Sequence, residues 1–193
     1  MPKPALLIID MQNDFVLDTG PLPVRGAAKV IPRIKEVLDE FRKRNFPVFH
    51  IMRVHRADGS DVEINRQDLF RKTPFAVAGS AGARVIDELK PLPGEYVMDK
   101  VRMSAFIGTG LDLMLRAVGV TTVVVVGIQT PNCIRTTVFD AIAYNYPVTL
   151  VDDATGAQTD EIHHANVRDM ENIGVRILKA AELGRYLDEL FPT

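Results

Sequence analysis

The sequence predicts a three-layer α/β/α domain, doubly wound around a six-stranded, mainly parallel sheet. Short β-branched runs alternate with segments of helical period along the chain. These runs are apolar on both faces, which is typical of parallel strands covered by helices on each side. The length of 193 residues suits one domain and is too short for an eight-fold barrel. We therefore treat residues 1–193 as a single domain.

The first half of the chain is predicted to hold three strands. Its helix has five apolar residues at helical spacing, from Val30 to Phe41, with charged residues between them. A stretch without a clear period follows the second strand, and long irregular stretches usually shape a site or an interface. In chain order we expect strand Ala5–Asp10, helix Gly26–Asn45, strand Pro47–Val54, the irregular stretch His55–Ser80, helix Ala81–Leu89 and strand Glu95–Lys100.

The second half repeats the strand–helix alternation more regularly. Its most apolar run, TTVVVVG, is the clearest buried strand in the chain. In chain order we expect helix Leu111–Val118, strand Thr121–Gly127, helix Asn132–Asn145, strand Pro147–Val151, helix Thr159–Ile173, strand Val175–Leu178 and helix Ala180–Leu190.

Composition and charge exclude several functional classes. Lys plus Arg number 23 against 25 Asp plus Glu, a net charge of −2, which argues against binding nucleic-acid phosphates. The apolar runs are shorter than the ~20 residues of a membrane span, and no secretory signal is visible. The single Cys forms no intrachain disulfide and no cysteine cluster for zinc, and a lone thiol suits a reducing compartment. We expect a cytoplasmic protein.

Three polar residues lie at or after the ends of predicted strands. Asp10 ends the first strand, Lys100 ends the third, and Cys133 follows the fourth by six residues. Taken singly, each has a plain alternative, namely a turn cap, a solvated lysine and a small buried hydrophobe. A doubly wound sheet brings the carboxyl ends of its strands to one edge, so together they are candidates for one site.

The residues before Cys133 predict a helix start. Thr130 is a good N-cap, and Pro131 suits the first helical position. Cys133 then lies in the first turn, where free N–H groups favour an anion, so we expect a lowered pKa for its thiol. The same N–H groups are able to receive an oxyanion, and a nearby carboxylate supplies a base. This chemistry is that of a Cys–Asp–Lys hydrolase.

The sequence resembles the isochorismatase-like cysteine hydrolases, which include nicotinamidases and N-carbamoylsarcosine amidases. The matching blocks are ALLIIDMQNDF (5–15), DKVRMSAF (99–106), VVVVGIQTPNCIRTTVFDAIAYNYPVTLVDDATGA (123–157) and EIHHANVRDMENIGVRI (161–177). The resemblance implies that Asp10 takes the proton of Cys133, that the thiolate attacks an amide or ureido carbonyl, and that Lys100 holds the arrangement. It also implies a cis peptide at Ile128–Gln129 and an oxyanion hole made by the N–H groups of Gln129 and Cys133.

The chain departs from the nicotinamidases at their metal-binding residues. Where the family pattern has Asp-x-His, this sequence has Arg53 and His55, and a cation in that place repels a metal. We therefore expect no bound metal. We also expect no cofactor, because Gly108-Thr-Gly110 lacks the third glycine of a dinucleotide fingerprint. Arg53 and His55 either bind a carboxylate or keto group of the substrate or form a surface pair. Three aromatic residues either line the substrate pocket or pack in the core, and these are Phe15, Phe75 and Phe106.

The residues and the resemblance together leave three functions open. The first is a metal-independent amidohydrolase that cleaves a C–N bond of a small carboxamide or ureido compound through a thioester. The second is a vinyl-ether hydrolase of the isochorismatase type, which needs no cysteine nucleophile. The third is a non-catalytic scaffold, because members with the QTPNCIRTTVFDA phrase include probable inactive nicotinamidases. We expect a homo-oligomer, with part of His55–Ser80 either near an interface or covering the pocket.

Overall fold

A six-stranded parallel sheet forms the middle layer of the molecule. The computed structural model describes residues 3–191. All five pairings between neighbouring strands are parallel, so the prediction of a mainly parallel six-stranded sheet is confirmed. The strands are β1 (Pro4–Ile9), β2 (Val48–Arg53), β3 (Tyr96–Lys100), β4 (Thr122–Ile128), β5 (Val148–Gly156) and β6 (Arg176–Leu178).

The strand order places a crevice at the middle of the sheet. The order is β3-β2-β1-β4-β5-β6, so the chain builds outward from β1 on one side and then crosses to β4 on the other. In such sheets the ligand site lies beyond the carboxyl ends of the two strands where the direction reverses. Asp10 directly follows β1, and Cys133 lies five residues beyond the end of β4. Both residues are therefore at the predicted ligand-binding edge.

Helices cover both faces of the sheet. Along β1, Leu6 and Ile8 join one hydrophobic core, whereas Leu7 and Ile9 join the other, as the alternation of a strand requires. Helices α2 and α7 contribute to the first core, and α4, α5 and α6 to the second. The helices are α1 (Asn13–Val16), α2 (Ala27–Lys43), α3 (Gln67–Lys72), α4 (Leu111–Ala117), α5 (Arg135–Ala143), α6 (Asp160–Asn172) and α7 (Ala180–Leu190). Within residues 3–191 no helix is both long and apolar enough to cross a membrane.

The helix predicted over Ala81–Leu89 is wrong. Only a 3₁₀ turn, Asp87–Leu89, forms there. The carbonyl groups that a helix would use internally instead accept hydrogen bonds from the segment after β1. Backbone N–H groups of Asn13 and Asp14 donate to residues 84 and 82, and the side chains of Gln12 and Asn13 donate to residues 83 and 81. Long-range hydrogen bonds thus replace the local ones that the sequence pattern predicts.

Two other segments differ from the predicted elements. The irregular stretch His55–Ser80 contains a 3₁₀ turn (Ile64–Arg66) followed directly by α3. The fifth strand runs to Gly156 rather than Val151, because its pairing with β4 shifts register between Val125 and Gly127. Such a bulge lets a strand continue past an irregularity in its pairing.

Candidate active site

A buried ion pair joins the ends of β1 and β3. The Nζ of Lys100 donates to Oδ2 of Asp10 at 2.9 Å and to the carbonyl of Arg102 at 3.2 Å. Lys100 is 1% exposed and Asp10 is 3% exposed, so the alternative of a solvated lysine is wrong. Asp10 has a positive φ of 54°, a conformation that Asp tolerates better than most residues. The backbone therefore turns sharply at the point where this carboxylate meets the lysine.

Cys133 lies in a single π-helical turn, Thr130–Ile134, that leads into α5. The Ile128–Gln129 peptide bond before this turn is cis. Gln129, rather than Thr130, is the N-cap residue, and its carbonyl accepts the N–H of Ile134 at 3.1 Å. Single π-turns inside helices occur frequently at functional sites. The predicted position of Cys133 in the first turn after β4 agrees with this geometry.

Burial raises the pKa of the Cys133 thiol, contrary to the prediction of a lowered pKa. The Asp10 carboxylate raises it further, and the nearby charges of Lys100 and Arg53 do not outweigh the two effects. The helix N-terminus alone would lower the pKa of the thiol, but the desolvation of the buried thiolate has the larger effect. The resting thiol therefore keeps its proton next to a carboxylate.

These groups surround a cavity of about 40 Å³ at the carboxyl edge of the sheet. Cys133 and Asp10 line it, and Lys100 reaches it through Asp10. Of the five predicted pocket residues, Phe15 and Arg53 line the cavity. The full lining is Asp10, Phe15, Val24, Arg53, Arg66, Met103, Ile128, Gln129, Asn132 and Cys133.

Phe106 does not line this cavity, which corrects the prediction. Its ring stacks on Tyr144, with centroids 5.2 Å apart, in the hydrophobic core that α4, α5 and α6 cover. Phe75 and His55 lie one layer behind the cavity wall. The Phe75 ring is 6.1 Å from the Phe15 ring and 5.5 Å from the His55 imidazole. The core-packing alternative thus describes Phe106 and Phe75 better than a direct role in the pocket.

The residues at the end of β2 do not fit a divalent cation. Nη1 of Arg53 donates to both carboxylate oxygens of Glu63, at 2.9 and 3.0 Å, and lies 3.4 Å from Nε2 of His55. The Nδ1 of His55 is 3.2 Å from Asp61. Burial and then the Arg53 charge lower the pKa of His55. A guanidinium thus uses the carboxylate that a metal would need, and between residues 3 and 191 no three candidate ligands cluster.

Gln12, which no sequence pattern singles out, holds the end of β2 in place. Its Nε2 donates to the Arg53 carbonyl and its Oε1 accepts the Arg53 N–H, both at 2.7 Å. The same Nε2 donates to the carbonyl of Ala83 at 2.8 Å. Gln12 is fully buried, and a polar residue so soon after a strand-end Asp is the available sequence signal. Its role is to fix the backbone from which the Arg53 side chain enters the cavity.

A second polar chain fixes the turn that carries Cys133. Thr130 Oγ1 lies 2.9 Å from His163 Nδ1, and His163 Nε2 lies 2.7 Å from Asp152 Oδ1. Lys179 pairs with the other oxygen of Asp152. The hydrogen bond from His163, more than that from Lys179, lowers the pKa of Asp152 to about 2. No spacing rule links these residues, because they come from the π-helical turn, β5, α6 and the start of α7.

The fold and the site define a doubly wound α/β protein with its ligand cavity at the point where the strand order reverses. A family model described as the Isochorismatase domain matches residues 4–182, so the chain belongs to the isochorismatase family of hydrolases. The resemblance found in the sequence is therefore confirmed. Relatives of the chain include amidohydrolases.

Three comparisons illustrate this relationship. A protein of Arabidopsis thaliana named a probable inactive nicotinamidase is 44% identical over 176 residues, which are 89% of this chain and 90% of the relative. The N-carbamoylsarcosine amidase of an Arthrobacter species is 29% identical, covering 97% of this chain and 72% of the relative. The crystal structure of an isochorismatase family protein from Desulfovibrio vulgaris has a TM-score of 0.93 at 44% identity, covering 97% and 99% of the two chains.

Proposed function

We propose that the protein is a cysteine-dependent amidohydrolase, which cleaves the C–N bond of a small carboxamide or ureido compound through a thioester. The observation that carries the proposal is the placement of Cys133 in one cavity with the buried Asp10–Lys100 pair. The amidase among its relatives supports the same class of reaction.

Acylation begins with a proton transfer from Cys133 to Asp10. Oδ2 of Asp10 accepts from Lys100, whereas Oδ1 is buried and has no hydrogen-bond partner among residues 3–191, so it is available for the thiol proton. The thiolate attacks the carbonyl carbon, and the N–H groups of Gln129 and Cys133 are proposed to receive the oxyanion. The C–N bond then breaks, and the leaving nitrogen takes the proton from Asp10.

Deacylation reverses the proton movement with water as the nucleophile. Asp10 removes a proton from water, the hydroxide attacks the thioester carbonyl, and the C–S bond breaks. The thiolate regains its proton from Asp10, and the acid product leaves. The raised pKa of Cys133 agrees with this scheme, because the thiol has to be deprotonated in each cycle rather than rest as a thiolate.

The second candidate is a non-catalytic role. It is favoured by the name of the Arabidopsis relative, a probable inactive nicotinamidase. If the protein is an active amidohydrolase, nicotinamide held by a metal is not the expected substrate, because Arg53 pairs with the Glu63 carboxylate at the place a metal would need. The amide substrate is therefore expected to be a different one.

An ammonia-release screen over small carboxamides and ureido acids tests the function. The wild type is expected to hydrolyse at least one compound, and Cys133→Ala and Asp10→Asn are each expected to reduce turnover by about 10⁴-fold. Asp99→Asn is the matched control, because Asp99 is an exposed carboxylate on β3 that lines a different groove. Intact-mass detection of an acyl adduct on Cys133 supports the thioester. A wild type that hydrolyses nothing, or a fully active Cys133→Ala variant, would contradict the proposal.

We also propose that the protein is a homo-oligomer. Ile64 is 86% exposed on the segment that borders the cavity, and Leu113 on α4 is 72% exposed. Burying such side chains against a second copy of the chain would remove apolar surface from water, which stabilises an interface. Sedimentation equilibrium tests this, and a mass equal to the 21.4 kDa of one chain at micromolar concentration would contradict it.

A further inference from the structure

Two buried polar atoms of the cavity residues have no hydrogen-bond partner among residues 3–191. One is Nη2 of Arg53, which is a donor, and the other is Oδ1 of Asp10, which is an acceptor. Both side chains line the cavity of about 40 Å³ that Cys133 also lines. Leaving a buried polar group unpaired costs free energy, so a donor and an acceptor beside one small space favour a polar guest that satisfies both.

The cavity has the size that a water molecule requires. A site needs roughly 10–15 Å³ of accessible volume to hold one water, which occupies ~30 Å³ in the liquid. The volume of about 40 Å³ satisfies both figures and leaves little room for anything larger. A water in this cavity would donate a hydrogen to Oδ1 of Asp10 and accept the Nη2–H of Arg53, which leaves one of its lone pairs free.

The Arg53 side chain is held at both ends. Its backbone N–H and carbonyl are bound by the side chain of Gln12, each at 2.7 Å. Its Nη1 donates to the two carboxylate oxygens of Glu63, at 2.9 and 3.0 Å. Because a guanidinium is planar and rigid, fixing Nη1 also restricts the directions in which Nη2 can point. Arg53 therefore offers Nη2 as a donor that needs no rearrangement.

The charge of Arg53 faces the two groups that change protonation during the proposed reaction. Burial alone lowers the pKa of its guanidinium, but the pKa is raised overall, because negative charge on Cys133 and Asp10 favours the cation. A fixed cation stabilises negative charge that develops beside it in a poorly solvated space. Such charge develops on a water molecule as it loses a proton to Asp10.

Formation of the thioester changes the surroundings of the Asp10 carboxylate. Burial is the main cause that raises the pKa of the Cys133 thiol, and a hydrogen bond to Asp10 raises it further. An acylated sulfur has no proton to donate, whereas Oδ2 of Asp10 keeps its bond to Lys100 at 2.9 Å. Oδ1 is then free to accept a hydrogen of water, in the half of the reaction that consumes water.

We propose that Arg53, together with Asp10, holds the water that hydrolyses the Cys133 thioester. Nη2 donates to the water oxygen while Oδ1 of Asp10 removes one of its protons. The new O–C bond forms at the thioester carbonyl, the C–S bond breaks, and the proton passes from Asp10 to the leaving thiolate. This inference rests on the proposed amidohydrolase function and adds Arg53 as a catalytic residue of deacylation.

Acetylation by p-nitrophenyl acetate separates the two halves of the reaction. This ester transfers its acetyl group to Cys133 and releases p-nitrophenol, whose absorbance reports acylation. After excess ester is removed, intact-mass measurements follow the decay of the acetyl adduct, with Cys133→Ala as the blank for other acetylated groups. In Arg53→Met we expect the decay to be about 10²-fold slower, as when one hydrogen-bond donor to a developing negative charge is removed, and acylation to change much less.

A conservative variant and a stronger nucleophile separate this role from a structural one. Arg53→Lys keeps the charge, but its single nitrogen cannot replace both Nη atoms, so a smaller slowing of the decay is expected. Hydroxylamine attacks a thioester without a base to remove its proton first. It should therefore release the acetyl group from Arg53→Met about as fast as from the wild type, whereas a distorted site would slow both nucleophiles.

Arg66→Gln is the matched control variant. Arg66 also lines the cavity, but its nitrogens are not among the buried atoms of residues 3–191 that lack a partner. Its loss is therefore expected to leave the decay of the acetyl adduct unchanged. A decay as slow in Arg66→Gln as in Arg53→Met would indicate a general effect of cavity charge and would overturn the inference.

The remaining outcomes distinguish this inference from the proposed function. Equal decay in the wild type and Arg53→Met, or a loss in Arg53→Met that is confined to acylation, overturns the role of Arg53 and leaves the function standing. A wild type that p-nitrophenyl acetate does not acetylate at Cys133 overturns the proposed function, and the hydrolytic role of Arg53 with it.

Discussion

Replacing Lys100 with methionine should destabilise the protein strongly. Methionine keeps much of the length and apolar stem of the lysine but removes its charge. Asp10, 3% exposed, is then left as a buried carboxylate that has lost the ammonium group to which it hydrogen-bonds. The carboxylate borders a cavity of about 40 Å³, where water offsets little of its desolvation cost.

The expected cost follows from the burial of both partners. Breaking a buried ion pair by removing one partner costs about 3–5 kcal/mol. A domain is stable by about 5–15 kcal/mol, so the variant should still fold but unfold at a clearly lower urea concentration, by roughly 1–2 M. The double variant Lys100→Met/Asp10→Asn removes both charges and should recover most of the loss.

Urea denaturation followed by circular dichroism measures these free energies. Lys179→Met is the matched control, because Lys179 also pairs with a carboxylate but its side chain is 55% exposed. We expect this control to cost at most ~1 kcal/mol, as exposed ion pairs do. A loss below ~1 kcal/mol in Lys100→Met, or no recovery in the double variant, would refute the idea that the two buried charges depend on one another.

Three further predictions concern backbone space, pH and thiol reactivity. Gly127 has a φ of 114°, and a Cβ added there would lie 2.2 Å from a carbonyl oxygen of β1. Gly94 has a similar φ of 95°, but a Cβ there would meet open space. Thermal melts should therefore show a loss of stability several times larger for Gly127→Ala than for Gly94→Ala. The pKa of Asp152 is lowered from 3.8 to about 2, so its ionised form stabilises the folded state. This stabilisation is fully present above pH 3.8 and is lost as the pH falls toward 2. In Asp152→Asn the free energy of unfolding should therefore change less with pH between these two values. Asp10→Asn removes a negative charge that raises the pKa of Cys133, so its thiol should react faster with iodoacetamide at pH 7 even as turnover is lost.

Each of these has a clear contrary result. Equal losses in the two glycine variants would mean that the strand contact at Gly127 relaxes freely. If the free energy of unfolding of Asp152→Asn fell with pH between 3.8 and 2 as steeply as that of the wild type, Asp152 would not be a source of the acid sensitivity. Slower alkylation in Asp10→Asn would show that the carboxylate does not hold the proton on the thiol.

Local pattern was sufficient for the architecture and for three candidate residues of the site. The apolar runs and helical spacing are properties of adjacent residues, so the sheet and the helices on its two faces follow from them. The strand-end positions of Asp10, Lys100 and Cys133 also follow, because parallel strands place their carboxyl ends together. The helix predicted over Ala81–Leu89 does not form, because carbonyl groups of this segment accept hydrogen bonds from residues just after β1. Hydrogen bonds between residues so far apart in the chain cannot be predicted from the local sequence pattern.

The tertiary structure determines the burial, the pKa values and the packing of the residues at the site. The pKa of Cys133 depends on burial by distant elements, which reversed the direction expected from the helix start alone. Phe106 lies close in sequence to Lys100 but packs against Tyr144 in the core, whereas Arg66 lines the cavity from a segment without periodicity. The sequence by itself thus determined the fold and the set of reactive groups. Desolvation, side-chain direction and unpaired buried charge arise only between residues far apart in the chain, and these determine which of the groups act and on what.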